Sequence, residues 1–165
     1  MPYIHAMQEI LNILEQDALA SAEKISQQLK RPVEDVRRQI RQMEEDNVIL
    51  AYKVIVDDEK ANRNTVKAVI EVKITPEREG GFNRLAARIA RFDEVKSCYL
   101  MSGGYDLLVI VEGTDLKKVA TFVSEKLATI HGVLSTATHF MLKTYKEQGT
   151  LYAQEQVEER LPISP

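Results

Sequence analysis

The sequence lacks the features of a secreted or membrane-spanning protein. It contains one cysteine among 165 residues, which excludes an internal disulfide and fits the reducing cytoplasm. No stretch approaches the roughly 20 apolar residues that a membrane-spanning helix needs, and no signal peptide is recognisable at the start. With 44% hydrophobic and 28% charged residues, the composition is typical of one large globular domain or two small ones. We therefore expect a cytoplasmic protein.

Patterns that would indicate catalysis or metal binding are also missing. His5, His131 and His139 lie far apart in the sequence, and none has metal-ligand spacing with Cys98 or with another histidine. There is no phosphate-binding loop, nucleophile elbow or paired-carboxylate pattern. We predict that the protein is not an enzyme and uses no metal or cofactor.

The most informative segment, residues 35–52, contains a predicted helix with two different faces, which ends near Asp46 and Asn47. At 100° per residue, one face is apolar and consists of Val36, Ile40 and Met43. The opposite face carries Arg37, Arg38 and Arg41. This pattern is typical of a DNA recognition helix, because the apolar face can pack on a helical core while guanidinium groups reach guanine edges or phosphates.

The charge of the surrounding sequence leaves an alternative open. Residues 1–66 contain nine Lys or Arg and twelve Asp or Glu, and Glu34 and Glu45 share the arginine face. DNA-binding domains are usually basic, so the same helix could simply present a solvated charged surface. The sequence supports local positive potential only.

The residues before this helix favour the DNA-binding interpretation. Apolar residues recur at helical spacing from Ile4 to Leu14, and Ser21 is a plausible N-cap for a short second helix. Residues 30–32 then break the chain, so three helices form a helix-turn-helix unit. Residues 48–56 are β-prone and predict a short strand or wing. The residues predicted to contact double-stranded DNA are Lys30, Arg31, Arg37, Arg38, Arg41 and Gln42.

The second half of the chain has a different pattern. The predicted elements are strand 67–74, helix 82–89, strand 95–101, strand 106–111, helix 115–130 and strand 133–143. The order βαββαβ predicts a ferredoxin-like sandwich, so the whole chain belongs to the α+β class. We assign residues 1–56 to the helix-turn-helix domain, 57–65 to a linker, 66–147 to the sandwich and 148–165 to a C-terminal tail.

The third strand of the sandwich predicts self-association. Leu108 and Ile110 point to one side of the sheet, and the alternating residues Leu107, Val109 and Val111 point to the other. Two helices can cover only one face of a four-stranded sheet. The second face therefore needs another chain or the tail to bury it, and a homodimer is the simplest expectation.

From about Met7 to about Lys146, the chain resembles the Lrp/AsnC family of transcriptional regulators, also called the leucine-responsive or feast/famine family. The residues that carry the resemblance are Val36-Arg37-Arg38, Met101-Ser102-Gly103-Gly104-Tyr105-Asp106-Leu107-Leu108 and Ser135-Thr136-Ala137-Thr138. The resemblance implies a DNA-binding helix-turn-helix and a regulatory domain that dimerises and often forms octamers of four dimers. It also implies that amino acids bind where dimers meet.

Carried onto this chain, the resemblance implies an effector site at the glycine-rich hairpin. Its residues are Ser102, Gly103, Gly104, Tyr105 and Asp106, with Thr136 and Thr138 as further candidates. Backbone groups at the glycines could bind an α-carboxylate, and Asp106 could bind an α-ammonium group. A purely structural interpretation remains open, because glycines serve tight hairpins and an aspartate can bond its own turn.

Two functions follow. The first is a sequence-specific DNA-binding regulator whose oligomer responds to a small metabolite, which the resemblance suggests is an amino acid. The second is a ligand-sensing or oligomerising module with little DNA affinity of its own, because the N-terminal half is acidic.

Overall fold

A computed structural model describes residues 2–76 and 81–152 of the chain. The chain divides into two compact units, Met1–Ile55 and Val56–Pro165. Each unit has a hydrophobic core of its own.

The N-terminal unit consists of three helices, α1 (Pro2–Gln16), α2 (Ala22–Leu29) and α3 (Val33–Glu45). The prediction of Ser21 as an N-cap is confirmed, because its side chain accepts a hydrogen bond from the Lys24 amide at 3.2 Å. Asn47 has a left-handed φ of 56° where the chain leaves α3, as asparagine tolerates. The buried core residues are Ile10, Leu14, Ala20, Ile25, Val36 and Met43. The three helices and the short turn before α3 form a helix-turn-helix unit.

Residues 48–56 contain no strand in the part of the chain that the structure describes, so the prediction of a strand or wing there is wrong. The side chains of Leu50 and Val54 are 82% and 81% exposed. A strand requires a hydrogen-bonded neighbour, and no described strand pairs with this segment. β-propensity alone did not produce a strand.

The C-terminal unit has the predicted βαββαβ order. Its main elements are β1 (Val66–Ile74), α4 (Asn83–Ile89), β2 (Val95–Leu100), β3 (Leu107–Gly113), α5 (Leu116–Thr121) and β4 (Val133–Phe140). Helix α5 continues into a π-helical segment, Phe122–Leu127. A two-stranded hairpin, β5 (Lys146–Glu147) and β6 (Thr150–Leu151), follows the sandwich.

The four main strands form an antiparallel sheet in the order β2-β3-β1-β4. The helices cover one face, where Ile70, Val72, Leu107, Val109 and Val111 are fully buried. The alternate residues lie on the other face, which the two helices do not cover. Its centre contains Val69, Leu108 and Ile110, all partly exposed. Near them the His139 and Glu71 side chains approach to 3.6 Å.

Residues 57–65, for which we expected a linker, form a compact turn within the C-terminal unit. The Ala61 amide donates to the Asp57 carbonyl and the Arg63 amide to the Asp58 carbonyl, both at 2.9 Å. Lys67 Nζ lies 3.2 Å from Asp58 and 3.9 Å from Glu147. Ion pairing to β1 therefore holds the segment in place.

The first residues of the expected tail also pack on this unit. The Tyr152 hydroxyl donates to a Glu147 carboxylate oxygen at 2.8 Å and to the Val56 carbonyl at 3.3 Å. The rest of that assignment, residues 153–165, lies outside the described residues.

Candidate nucleic-acid interface and effector site

Helix α3 exposes the polar face that the sequence predicts. Val36 and Met43 are buried, whereas Arg37, Arg38, Arg41 and Gln42 are exposed. Lys30, in the turn before α3, is also exposed and has a left-handed φ of 52°. Five of the six predicted DNA-contacting residues therefore lie on the surface of the N-terminal unit.

Arg31, the sixth, is mostly buried and bonds within the unit. Its side chain is 19% exposed, and it donates to Asp35 at 2.5 Å and to the Ala6 carbonyl at 3.3 Å. These bonds join α1, the turn and the start of α3. The structure thus gives Arg31 a positioning role that helical spacing could not reveal.

Asp35 is the centre of a polar cluster at the start of α3. It accepts hydrogen bonds from Arg31, from the Arg38 guanidinium and from Gln39 Nε2 at 3.1 Å. These donors lower the pKa of the Asp35 carboxyl, and the hydrogen bond from Arg31 has the largest effect. The Oε1 atom of the buried Gln39 has no hydrogen-bond partner among the described residues.

Arg37 is held by two carboxylates. One terminal nitrogen of its guanidinium donates to Glu34, one turn earlier on α3, at 2.7 Å, and the other donates to Glu23 on α2. The pKa of Glu23 is lowered by a hydrogen bond from its own backbone amide, then by the Ser21 hydroxyl and by Arg37. The sequence did not predict the contact with Glu23, because the partners lie 14 residues apart.

Arg41 and Gln42 complete the exposed face. Gln42 Nε2 donates to Asp46 Oδ1 at 3.0 Å. Within residues 2–76 and 81–152, Arg41 takes part in no ion pair. The three predicted arginines therefore differ: Arg37 and Arg38 are paired with carboxylates, whereas Arg41 has no ion pair among the described residues.

The glycine-rich hairpin joins β2 to β3. Ser102, Gly103 and Gly104 are exposed, and Tyr105 and Asp106 are partly exposed. Gly103 has a φ of 140°, so it needs the conformational freedom of glycine, whereas Gly104 has no positive φ and open space where a side chain would point. Gly104 is therefore not required by the turn itself.

Asp106 has a structural contact that the sequence did not predict. Its Oδ2 accepts a hydrogen bond from the Ile74 amide at 2.8 Å, and its own amide donates to the Val72 carbonyl at 3.0 Å. Both bonds connect the hairpin to the end of β1. Asp106 thus has a role in the fold whether or not a ligand binds, and its side chain bonds a neighbouring strand, while its carbonyl accepts from the Met101 amide across the turn at 2.8 Å.

Thr136 and Thr138 lie on β4, an edge strand separated from β3 by β1. Thr136 pairs with Val72, which pairs on its other side with Leu107, so Thr136 is roughly 10 Å from the start of β3. Thr138 is two residues further along β4, opposite Ile70. In a single chain the structure does not bring the two threonines and the hairpin into one enclosed site.

Two open cavities lie at the other end of β3, and neither is lined by a predicted effector residue. The larger, about 860 Å³, lies among residues 57–67, 114–117 and 141–144 with Tyr152.

Across the described ranges, no group of three His, Cys, Asp or Glu side chains could hold a metal ion. Cys98 is partly buried on β2, and this burial raises the pKa of its thiol.

The described helices include none that is long and apolar enough to cross a membrane. The chain thus combines a helix-turn-helix unit with a βαββαβ sandwich. Residues 67–151 match the family model described as the Lrp/AsnC ligand binding domain. The chain is 43% identical over 158 residues to YugG, an uncharacterized HTH-type transcriptional regulator of Bacillus subtilis, and the match covers 95% of each chain. The chain therefore belongs to the Lrp/AsnC family of transcriptional regulators.

Solved structures agree with this assignment. A transcriptional regulator of Neisseria meningitidis, in complex with L-Met, matches with a TM-score of 0.68 at 25% identity over 84% of this chain and 89% of that one. The fold of E. coli AsnC matches with a TM-score of 0.64 at 19% identity over 86% and 93%. The relatives are regulators, so the prediction that this protein is not an enzyme is confirmed. Membership also supports regulation in response to a small molecule.

Proposed function

We propose that this regulator binds double-stranded DNA in a sequence-specific way by placing the exposed face of α3 in the major groove. The observation that carries the proposal is the strict separation of faces on α3. Val36 and Met43 are buried in the core, and Arg37, Arg38, Arg41 and Gln42 face outward. Arginine forks bind guanine edges and phosphates, and glutamine can bind adenine.

The residues before α3 have separate roles in this proposal. Lys30 is exposed next to α3 and suits a phosphate contact. Arg31 instead fixes the start of α3 through Asp35 and the Ala6 carbonyl. Loss of Lys30 should weaken binding to all sequences about equally, whereas loss of Arg31 should act through the stability of the helix.

Selection from a random duplex pool tests the DNA proposal. The full-length protein should enrich a common sequence, and a variant with Arg37→Ala, Arg38→Ala and Arg41→Ala should enrich none. Arg91→Ala, an exposed arginine in the C-terminal unit, is the matched control and should enrich the wild-type sequence. No enrichment by the wild-type protein would contradict the proposal.

We further propose a homodimer formed through the uncovered face of the sheet, and an octamer of four such dimers. Val69, Leu108 and Ile110 are partly exposed at the centre of that face, although all three are apolar. Removing apolar surface from water is the dominant favourable term in protein association. The Glu71 and His139 side chains next to them supply a polar rim.

The effector in this proposal is an amino acid bound at the Ser102–Asp106 hairpin, with Thr136 and Thr138 at its margin. Asp106 keeps one carboxylate oxygen, Oδ1, without a described partner, and this atom could accept from an α-ammonium group. Because the hairpin is exposed, a second chain is needed to enclose a ligand, which fits a site between dimers. The related Neisseria regulator was solved with L-Met.

A thermal-shift screen of the twenty amino acids would identify the effector, because a ligand that binds only the folded state raises the unfolding temperature. Asp106→Asn keeps an oxygen for the Ile74 amide but removes the charge, so the fold should survive while the shift is lost. Gly104→Val should fold like the wild type, because a Cβ at this position meets no atom within 4 Å in the single chain. Its added bulk at the hairpin should abolish the shift if the ligand binds there. If both variants respond like the wild type, the hairpin is not the site.

The alternative function, a sensing module with little DNA affinity, has one observation in its favour. Arg37 and Arg38 are paired with carboxylates, so the local positive potential of α3 is lower than its sequence suggests. A wild-type protein that responds to an amino acid but enriches no DNA would support this function. In either case we place the protein in the cytoplasm, where its DNA or partner regulators are.

A further inference from the structure

Arg37 forms more ion pairs than the other two arginines on the exposed face of α3. Its two terminal guanidinium nitrogens donate to different carboxylates, Glu34 at 2.7 Å and Glu23. Both carboxylates belong to the first turn of their helices, Glu23 on α2 and Glu34 on α3. We call Glu23 and Glu34 together the carboxylate clamp.

The carboxylate clamp competes with DNA for the same atoms. A guanidinium binds a guanine edge or a phosphate through its N–H groups, and in Arg37 each terminal nitrogen already donates one of its two N–H groups to a carboxylate. Three of the five N–H groups stay free among the described residues, but a DNA contact through the bonded N–H groups requires at least one of these ion pairs to break. Since the guanidinium and both carboxylates are substantially exposed, this exchange requires no rearrangement of the core.

The cost of the exchange depends on what the DNA offers. Arg37 and the carboxylate clamp together carry one net negative charge, so they repel an approaching phosphate. A guanine edge is neutral and supplies two directed acceptors, and a released carboxylate can accept from a cytosine amino group. The carboxylate clamp therefore weakens phosphate contacts more than it weakens base contacts.

We propose that Glu23 and Glu34 determine specificity by suppressing non-specific DNA binding through Arg37. They are positioning residues, because they act on DNA through Arg37. The proposal rests on the proposed DNA-binding function and adds a mechanism to it. It also explains how an acidic N-terminal half can serve a DNA-binding protein: the acidic residues reduce binding to the many competing non-specific sites.

The test compares the full-length protein with the double variant Glu23→Gln and Glu34→Gln. Affinity is measured by fluorescence anisotropy for a random-sequence duplex and for the duplex selected from the random pool, at several salt concentrations. Affinity for random duplex should rise by about three- to tenfold, as expected for the loss of two exposed ion pairs. Affinity for the selected duplex should rise less, so the ratio of the two affinities should fall.

The salt dependence separates this mechanism from a change in folding. If the released Arg37 gains one phosphate contact, the slope of log affinity against log salt for random duplex should become steeper by about 0.9. A structural effect alone would not change this slope in that direction. The control is Glu9→Gln with Glu15→Gln, which removes the same charge from α1, where neither residue forms an ion pair with α3 in the described structure. The control should leave the slope and the affinity ratio unchanged.

Each possible result either supports or contradicts the proposed role of Glu23 and Glu34. A lower affinity ratio and a steeper slope in the Glu23→Gln, Glu34→Gln variant, but not in the control, support the proposal. Unchanged values overturn it while leaving DNA binding by α3 intact. If the wild type binds no duplex and the variant does, the carboxylate clamp blocks all DNA binding, and the proposal that it sets specificity is overturned. If neither protein binds DNA, the inference and the proposed DNA-binding function both fall.

Discussion

The two units of the chain differ in what fixes their functional surfaces. Among the described residues, the N-terminal core comprises six buried apolar side chains, and ion pairs among α2, α3 and the turn between them arrange the exposed face of α3. The C-terminal core comprises thirteen on the same basis, and the uncovered face of its sheet follows from strand alternation. Truncating buried side chains should therefore disturb the C-terminal unit most, and changing charges should affect the N-terminal surface most.

The largest expected effect is in the C-terminal core. Leu107 is fully buried on β3, whereas Ile110, on the same strand, lies on the uncovered face. Leu107→Ala should lower the free energy of unfolding by about 2–5 kcal/mol, because it removes buried methyl groups and leaves a cavity. Urea denaturation gives this value, and Ile25→Ala is the matched change in the N-terminal core. A loss below about 1 kcal/mol for Leu107→Ala would contradict this picture of the core.

The uncovered face of the sheet should control assembly. Ile110→Glu places a charge in the proposed dimer interface, so the dimer should dissociate while the helical and sheet content is retained. Sedimentation velocity measures the change in mass. Lys96→Glu, at an exposed position on β2, is the control and should leave the mass unchanged. An Ile110→Glu protein with the wild-type mass would show that the interface lies elsewhere.

A smaller effect is expected from pH at the start of α3. Arg31 lowers the pKa of Asp35 in the folded chain, so the ionised carboxylate stabilises the fold. This contribution is complete above the unfolded-state pKa of about 3.9 and is lost as the pH falls through the lower folded-state pKa. Arg31→Ala should therefore be less stable than the wild type at pH 7, and the difference should shrink below about pH 4. Urea unfolding followed by far-UV circular dichroism measures this, and a difference that is constant with pH would argue against the contact.

Local sequence patterns predicted the helices and strands that depend on residues close together in the sequence. Alternation from residue 67 onward predicted β1, the capping hydroxyl of Ser21 predicted the start of α2, and the apolar stripe of α3 predicted its buried face. The strand expected at residues 48–56 was wrong because β-propensity says nothing about the neighbouring strand that must pair with it.

Contacts between residues far apart in sequence were not predictable. Asp106 accepts from the Ile74 amide 32 residues away, and Glu23 pairs with Arg37 across two helices. The role of Arg31 was missed because its charge suggested a surface position, whereas Asp35 makes a mostly buried position favourable. Of the candidate site, sequence pattern predicted which side of α3 is exposed, but the pairing of Arg37 with Glu23 on α2 required the tertiary structure.

The most direct test of the account concerns Arg41, the arginine on the exposed face of α3 that has no ion pair in the described structure. Fluorescence anisotropy should compare the full-length protein and Arg41→Ala on the duplex selected from the random pool, at fixed salt. The account predicts a loss of about 1–3 kcal/mol in binding free energy, with the unfolding temperature and sedimentation unchanged. Equal affinity of the two proteins for the selected duplex would contradict the assignment of α3 as the recognition helix.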